Sequence, residues 1–143
     1  MESLHARSGL EIIPRKECLL LLAGQKVGRL GFVADGQPMV LPVNYAIQGD
    51  IVVFRTGEGT KLDAALGTKV AFEVDDVDAE AGRGWSVVVQ GVAEEILATG
   101  DWLDESLRAN AGPTWIPTPT DHYVRITPTV ISGRRLATGP PAP

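Results

Sequence analysis

A short glycine-rich segment carries the residues best suited to bind an anion. Arg55 ends an apolar run, and Lys61 begins a short helical pattern. Hydroxyl groups and glycines lie between them, at Thr56, Gly57, Gly59 and Thr60. Cationic side chains, hydroxyls and the free amides of a helix start all bind phosphate. The pattern predicts a phosphate site formed by Arg55, Thr56, Thr60 and Lys61.

The spacing of this segment differs from that of the phosphate loop in nucleotide hydrolases. Gly57 lies too close to Lys61, and Leu62 stands where that loop has the Ser or Thr that binds Mg²⁺. A purely structural interpretation stays open as well, in which the glycines make a turn and Thr60 caps the helix. The pattern alone does not decide between the two.

Few other side chains could carry chemistry. The two histidines, His5 and His122, and the single Cys18 are too few for a zinc site of three or four ligands. Cys18 lies in an apolar helical pattern and is typical of a buried residue. We therefore expect no metal site and no catalytic nucleophile.

The elements around the glycine-rich segment are mostly strand-sized. One short helix is predicted over residues 15–24, and turn sequences separate the three apolar runs 27–34, 39–47 and 51–55 into an antiparallel meander. Further helices are predicted at 61–66 and 99–109, and further strands at 70–77, 85–96, 123–127 and 130–135. Closely spaced strands with short helices favour a mainly β barrel.

Length and charge limit the remaining possibilities. The 143 residues fit a single domain, expected over 1–136, with a flexible tail at 137–143. The formal net charge of -5 argues against nucleic acid and anionic membranes as partners. No apolar stretch reaches the roughly 20 residues that span a bilayer. With one cysteine and no signal-peptide pattern, we expect a cytoplasmic protein.

Several motifs in order resemble a known family. They are GRLGF at 28–32, LPVNY at 41–45, VFRT at 53–56, WSVVVQGVA at 85–93, RITP at 125–128 and SGRR at 132–135. Together they resemble the pyridoxamine 5'-phosphate oxidase-like family of flavin-binding split barrels, over about residues 12–135.

The resemblance implies a six-stranded antiparallel split β-barrel that forms a homodimer, with FMN at the subunit interface. Arg55, Thr56, Thr60 and Lys61 would bind the FMN phosphate. The ring edge would face Val43, Asn44 and Tyr45, and the ring or the partner chain would contact Trp85 and Gln90. The implied activity is a flavin-dependent oxidoreductase acting on a small organic substrate through flavin N5, with the cofactor supplying the chemistry.

One departure leaves alternatives open. Arg135-Leu136-Ala137 lacks the Arg-x-His pattern with which the authentic oxidases bind their vitamin substrate. The fold is also compatible with a deazaflavin-dependent reductase, or with a module that binds flavin or haem without turnover. Trp115, in a proline-rich segment, is a candidate lid over a pocket.

Overall fold

The computed structural model describes residues 10–57, 61–112, 114 and 122–136, with the side chain of Lys61 excepted. The strands are β1 (Leu10–Ile12), β2 (Val27–Ala34), β3 (Gln37–Gln48), β4 (Ile51–Thr56), β5 (Lys69–Asp78), β6 (Arg83–Glu95) and β7 (His122–Leu136). The helices are α1 (Arg15–Ala23) and α2 (Trp102–Asn110), and a 3₁₀ helix spans Lys61–Ala65.

All strands belong to one antiparallel sheet in the order β1-β7-β4-β3-β2-β5-β6. A further pairing of β6 with β7 joins the two sides of the sheet, so that the strands close into a barrel. The β6–β7 pairing covers two strand edges that would otherwise be free to pair with other chains. The predicted mainly β split barrel is confirmed, with the three-residue β1 added at its margin.

Side-chain alternation along the strands builds the core. Leu30, Phe54, Phe72, Val87 and Ile126 are among the side chains that point into the barrel and are almost fully buried. Helix α1 closes one side of the barrel through Cys18 and Leu22. Burial of this apolar surface is the main term that favours the folded chain.

A second, smaller cluster lies outside the barrel wall. Leu107 and Ala111 at α2 pack there against Val53 and Ile96. Gln48 at the end of β3 donates from its amide to the Ser106 hydroxyl, 3.1 Å away, and so ties the helix to the sheet. Helix α2 therefore covers the outer face of β4.

The structure differs from the sequence prediction in two places. The two strands expected at 123–127 and 130–135 form the single strand β7, because a bulge at Thr129 of β7, opposite Gln90 and Gly91 of β6, takes up the irregularity. Helix α2 begins at Trp102 rather than at residue 99, because Thr99 lies ahead of the helix, where its hydroxyl accepts from the amide of Asp101 and donates to the Asp104 carboxylate in the first helical turn. In the described part of the chain, no helix has the length and apolarity to cross a membrane.

Candidate functional site

The barrel is open between β3 and β4. These strands pair only from Tyr45 to Gln48, opposite Phe54 to Ile51. Ahead of Tyr45, β3 continues along β2 from Asn44 to Gln37, and none of the described strands lies along its other edge. Such an edge presents backbone amides and carbonyls to whatever lies beside it. We call this opening the split.

Asn44 and Arg55 lie on the two sides of the split. In the register of the Tyr45–Phe54 pair they are the next residues along each strand, yet they do not pair with each other: Asn44 pairs with Val27 of β2, and Arg55 pairs with Tyr123 of β7. Val43 and Tyr45 point into the core and are 5% and 6% exposed, whereas Asn44 is half-buried and points outward. Of the three predicted ring-edge residues, only Asn44 therefore presents its side chain to the outside.

Tyr45 is held firmly by the fold. Its hydroxyl donates to the carbonyl of Leu22 in α1, and its ring meets Phe72 edge-on at 4.9 Å between centroids. Burial raises the pKa of the Tyr45 hydroxyl, because the phenolate would lose its water. The last paired residue before the split is thus fixed against α1.

The structure does not bring the side chains of Arg55 and Thr56 together. Strand alternation sends them to opposite faces of β4. Thr56 is fully buried, and its hydroxyl donates to the carbonyl of Gly57 at 3.3 Å. The Arg55 guanidinium lies over the ring of Tyr123, 5.2 Å from its centroid. Thr60 and the side chain of Lys61 lie outside the described residues, so their predicted phosphate contacts stay predictions.

A large shallow groove lies on the outer face of the sheet and has a volume of about 710 Å³. One cross-strand row forms its centre, running from Val40 through Gly31 and Ala71 to Gln90. Gly31 and Ala71 carry almost no side chain, so the floor is low between the flanking residues. Volume and apolar lining both fall within the range of ligand pockets. We call this feature the groove.

Gln90 and Trp85 lie on opposite faces of β6. Gln90 is exposed at one end of the groove, where the Thr129 hydroxyl donates to its backbone carbonyl at 3.0 Å. Trp85 is half-buried and packs against the barrel core. Five residues of extended strand separate them by about 16 Å. Within one chain they therefore do not contact the same ring.

Two neighbouring features were not found from the sequence. A smaller cavity of about 340 Å³ lies beside Asn44 and is also lined by Lys26 and Gly112, which no motif singled out. At the end of the barrel, His122 Nδ1 lies 2.7 Å from the Glu95 carboxylate. Both arrangements depend on residues distant in sequence, and only the register of the sheet brings them together.

Charged residues border the groove. Arg29 lies 3.6 Å from the carboxylate of Glu73 and 3.5 Å from that of Asp75. Burial, together with the nearby Asp75, raises the pKa of Glu73 to about 7, and Arg29 offsets this only in part. The outer face thus holds a carboxyl group that changes charge near neutral pH.

A comparison with known proteins agrees with this geometry. The family model described as pyridoxamine 5'-phosphate oxidase matches residues 14–135. The chain belongs to the pyridoxamine 5'-phosphate oxidase family. The family resemblance expected from the sequence motifs is therefore confirmed.

Several known proteins are similar to this member of the pyridoxamine 5'-phosphate oxidase family over most of their length. The structure of an FAD binding protein from Mycobacterium smegmatis is 40% identical and has a TM-score of 0.74. The match covers 87% of this chain and 98% of that one. An FAD-binding protein from Mesorhizobium loti is 26% identical with a TM-score of 0.67, over 88% of this chain and 96% of that one. An uncharacterized protein from Mycobacterium tuberculosis is 32% identical over 92% of this chain and 88% of its own.

Proposed function

We propose that this chain binds a flavin nucleotide along the outer face of β3, with the ring in the groove and the phosphate end at the split. One observation carries the proposal. Val40, Pro42 and Asn44 alternate outward along β3 and lead directly from the groove to the split. From Val40 to Asn44 the strand rises about 13 Å, which separates an apolar end from a polar end.

The groove suits a flat, largely apolar ring. Its floor at Gly31 and Ala71 is low enough for a planar group to approach the sheet, and Val33 and Val92 contribute apolar surface beside it. The Gln90 amide lies at one end, where it can donate to or accept from a ring heteroatom. Apolar contact provides affinity and the amide fixes the orientation.

The split suits the charged end of the nucleotide. Arg55 and Asn44 flank it, and the unpaired edge of β3 adds backbone groups. A guanidinium forms charge-assisted hydrogen bonds with phosphate. Thr60 and Lys61 follow closely in sequence and are the proposed additional phosphate ligands.

The activity proposed is that of a flavin-dependent oxidoreductase acting on a small organic substrate. A bound flavin supplies redox chemistry of its own, so the protein need only bind, orient and shield it. This agrees with a chain whose described residues contain one buried cysteine and one histidine. Side chains of the groove and the split would hold the cofactor and keep water from one face of it.

A second copy of the chain is the proposed cover for this face. Val33, Val40 and Val130 are 56%, 66% and 49% exposed and lie around the groove. A patch of this kind is uncommon on a monomer and typical of an interface. Two such faces packed together would enclose a flavin between the subunits.

FAD is a second candidate beside FMN. Two similar proteins, 40% and 26% identical, are named as FAD binding, and either nucleotide contains the same ring and first phosphate.

A deazaflavin is the third cofactor to compare. Its acidic tail would need cations along the path, and the described path from Val40 to Asn44 contributes none from β3.

The decisive experiment is an absorption spectrum of the protein as purified, followed by titration of flavin-free protein with FMN, FAD and a deazaflavin. We expect a flavin spectrum or binding of added flavin with quenched fluorescence. Arg55→Gln should weaken affinity about tenfold or more, since it removes a charge-assisted hydrogen bond. The matched control is Arg15→Gln, which alters an exposed arginine paired with Asp50 and should leave affinity unchanged. Absence of binding of every flavin by folded protein would overturn the proposal.

The second copy is tested by sedimentation. Val130→Asp places a charge beside the groove, and we expect the dimer to dissociate. Leu20→Asp is the control, since Leu20 is 68% exposed on α1, away from the groove. A wild-type monomer in the presence of saturating flavin would contradict this part.

Turnover is tested separately with the flavin-loaded protein. We expect a nicotinamide nucleotide to reduce the bound flavin and a quinone or a nitroaromatic compound to reoxidise it. A flavin that stays oxidised with either nicotinamide, and that passes no electrons to these acceptors, would instead identify a binding module.

A further inference from the structure

Another concave site lies far from the groove, at the free end of the β5–β6 hairpin. It is a trough of about 300 Å³. Its centre is a row of residues paired across four strands: Leu10, Leu136, Gly84 and Val77. None of the residues that line this hairpin trough also lines the groove.

The hairpin trough exists because Gly84 carries no side chain. A Cβ there would lie 2.7 Å from the carbonyl oxygen of Asp76 and 2.9 Å from the Cα of Val77. Glycine therefore lets the β5 backbone pass close to β6, and no side chain rises from this position between Leu136 and Val77. Val77 is 63% exposed and Leu10 is 38% exposed, so apolar walls of this trough face the solvent.

Two arginines line the same trough, whereas the other described arginines are held by the fold. Arg55 and Arg108 lie over the ring of Tyr123. Arg15, Arg29, Arg125 and Arg135 each lie within ion-pair distance of a carboxylate. Among the described residues, neither Arg83 nor Arg134 has such a partner. Arg134 has only a 3.4 Å bond to the carbonyl of Gly133. In a chain with 18 acidic residues, two arginines of this kind beside one apolar trough indicate a place for an external anion.

We propose that the hairpin trough binds a small amphipathic carboxylate, with its hydrocarbon part between Leu10, Leu136 and Val77 and its carboxylate on Arg134 and Arg83. A guanidinium offers two parallel donors that match the two oxygens of a carboxylate. Apolar walls select a ligand with an alkyl or aryl body.

The neighbouring carboxylate favours a ligand of single charge. Asp78 also lines the trough, and its Oδ1 accepts from the amide of Ala81 at 3.1 Å. A phosphate dianion would be repelled more strongly by Asp78 than a carboxylate is. The site lies apart from the proposed flavin path because it shares no lining residue with the groove, although Trp85, which the family resemblance assigns to the ring or the partner chain, also lines it.

The test titrates the full chain with octanoate as the probe and with 1-octanol as its uncharged counterpart. Amide NMR shifts report binding, and each titration is done with and without saturating FMN. We expect octanoate to shift the amides of Gly84, Ser86 and Leu136, equally in both states. Arg134→Gln should weaken octanoate binding about tenfold while leaving 1-octanol binding unchanged. Arg15→Gln is the matched arginine control and should change neither.

A second variant, Val77→Asp, tests the trough independently of any indirect structural effect of Arg134→Gln. Val77→Asp places a negative charge on the wall and should also weaken octanoate, through repulsion rather than through loss of a donor. The proposal is overturned if octanoate shifts the groove amides of Gly31 and Ala71 instead, or if Arg134→Gln binds octanoate as tightly as the wild type. Normal flavin binding by Arg134→Gln would show that the two proposals stand or fall separately.

Discussion

Two strand pairings of the barrel, which we call the β6–β7 seam and the β3–β4 seam, differ in how far their strands stay paired. The β6–β7 seam is paired from Gly84 to Glu95, and a single bulge shifts its register. The β3–β4 seam stops at Tyr45, and the strands separate there. Paired backbone has its hydrogen bonds satisfied within the fold, whereas a free edge keeps them for another molecule. The closed seam therefore serves stability, and the open one is where we propose that the nucleotide binds.

Breaking the closed seam should have the largest effect. In Gly91→Ala the new Cβ would lie 2.3 Å from the carbonyl oxygen of Thr127, a backbone atom that cannot move without opening the pair. We expect a loss of about 3 kcal/mol in the free energy of unfolding, measured by urea denaturation. An unchanged midpoint would show that the seam tolerates separation here.

A medium effect is expected from loosening the residue that ends the open seam. Tyr45→Phe removes the hydroxyl that donates to Leu22 and leaves that carbonyl without this donor. The expected loss is about 1 kcal/mol in the free energy of unfolding. Flavin affinity should fall as well, because Tyr45 fixes the start of the split. Lower stability with unchanged affinity would separate the core role of Tyr45 from the site.

The carboxyl group beside the groove should make stability depend on pH. The pKa of Glu73 rises from its ordinary 4.5 to about 7 in the folded chain, chiefly through burial. The folded chain then binds more protons than the unfolded one, so stability falls as the pH rises from about 4.5 through 7. Glu73→Gln should flatten this slope and, at pH 8, raise stability by on the order of 1 kcal/mol, since water and Arg29 screen part of the charge.

Thermal unfolding at pH 5 and pH 8 checks this prediction. Asp76→Asn serves as a control for charge alone, since it removes an exposed carboxylate from the same strand, β5. Equal slopes in the wild type and in Glu73→Gln would contradict the role of Glu73.

The smallest effect on stability is expected at the proposed binding face. In Gly31→Ala the Cβ would lie 3.5 Å from the carbonyl oxygen of Ala71, an ordinary contact, so stability should change by no more than about 0.5 kcal/mol. The added methyl raises the floor of the groove, and we expect flavin affinity to drop about tenfold in a fluorescence titration. Together with Gly91→Ala, this matched pair separates structure from binding. Unchanged affinity would place the ring elsewhere.

The sequence predicted the barrel well because strand periodicity and turn residues are local signals. Strand β2 was expected at 27–34 and is observed at Val27–Ala34. The sequence also indicated Arg55 and Asn44 as candidate cofactor-binding residues, and the structure places them on the two sides of the split. What the sequence could not show is register. The opposite faces of Arg55 and Thr56, and the approach of Gly31 to Ala71 and Gln90, depend on pairing between distant strands.

Strand β7 pairs with β1, β4 and β6 and comes last among the described strands. During synthesis, the edges of β4 and β6 that pair with β7 therefore stay uncovered until β7 has left the ribosome. Barrel closure is a late, long-range event, which makes slow folding and sensitivity to aggregation of the nascent chain the expected behaviour. Truncation inside β7 would thus leave an unclosed sheet rather than a shorter barrel.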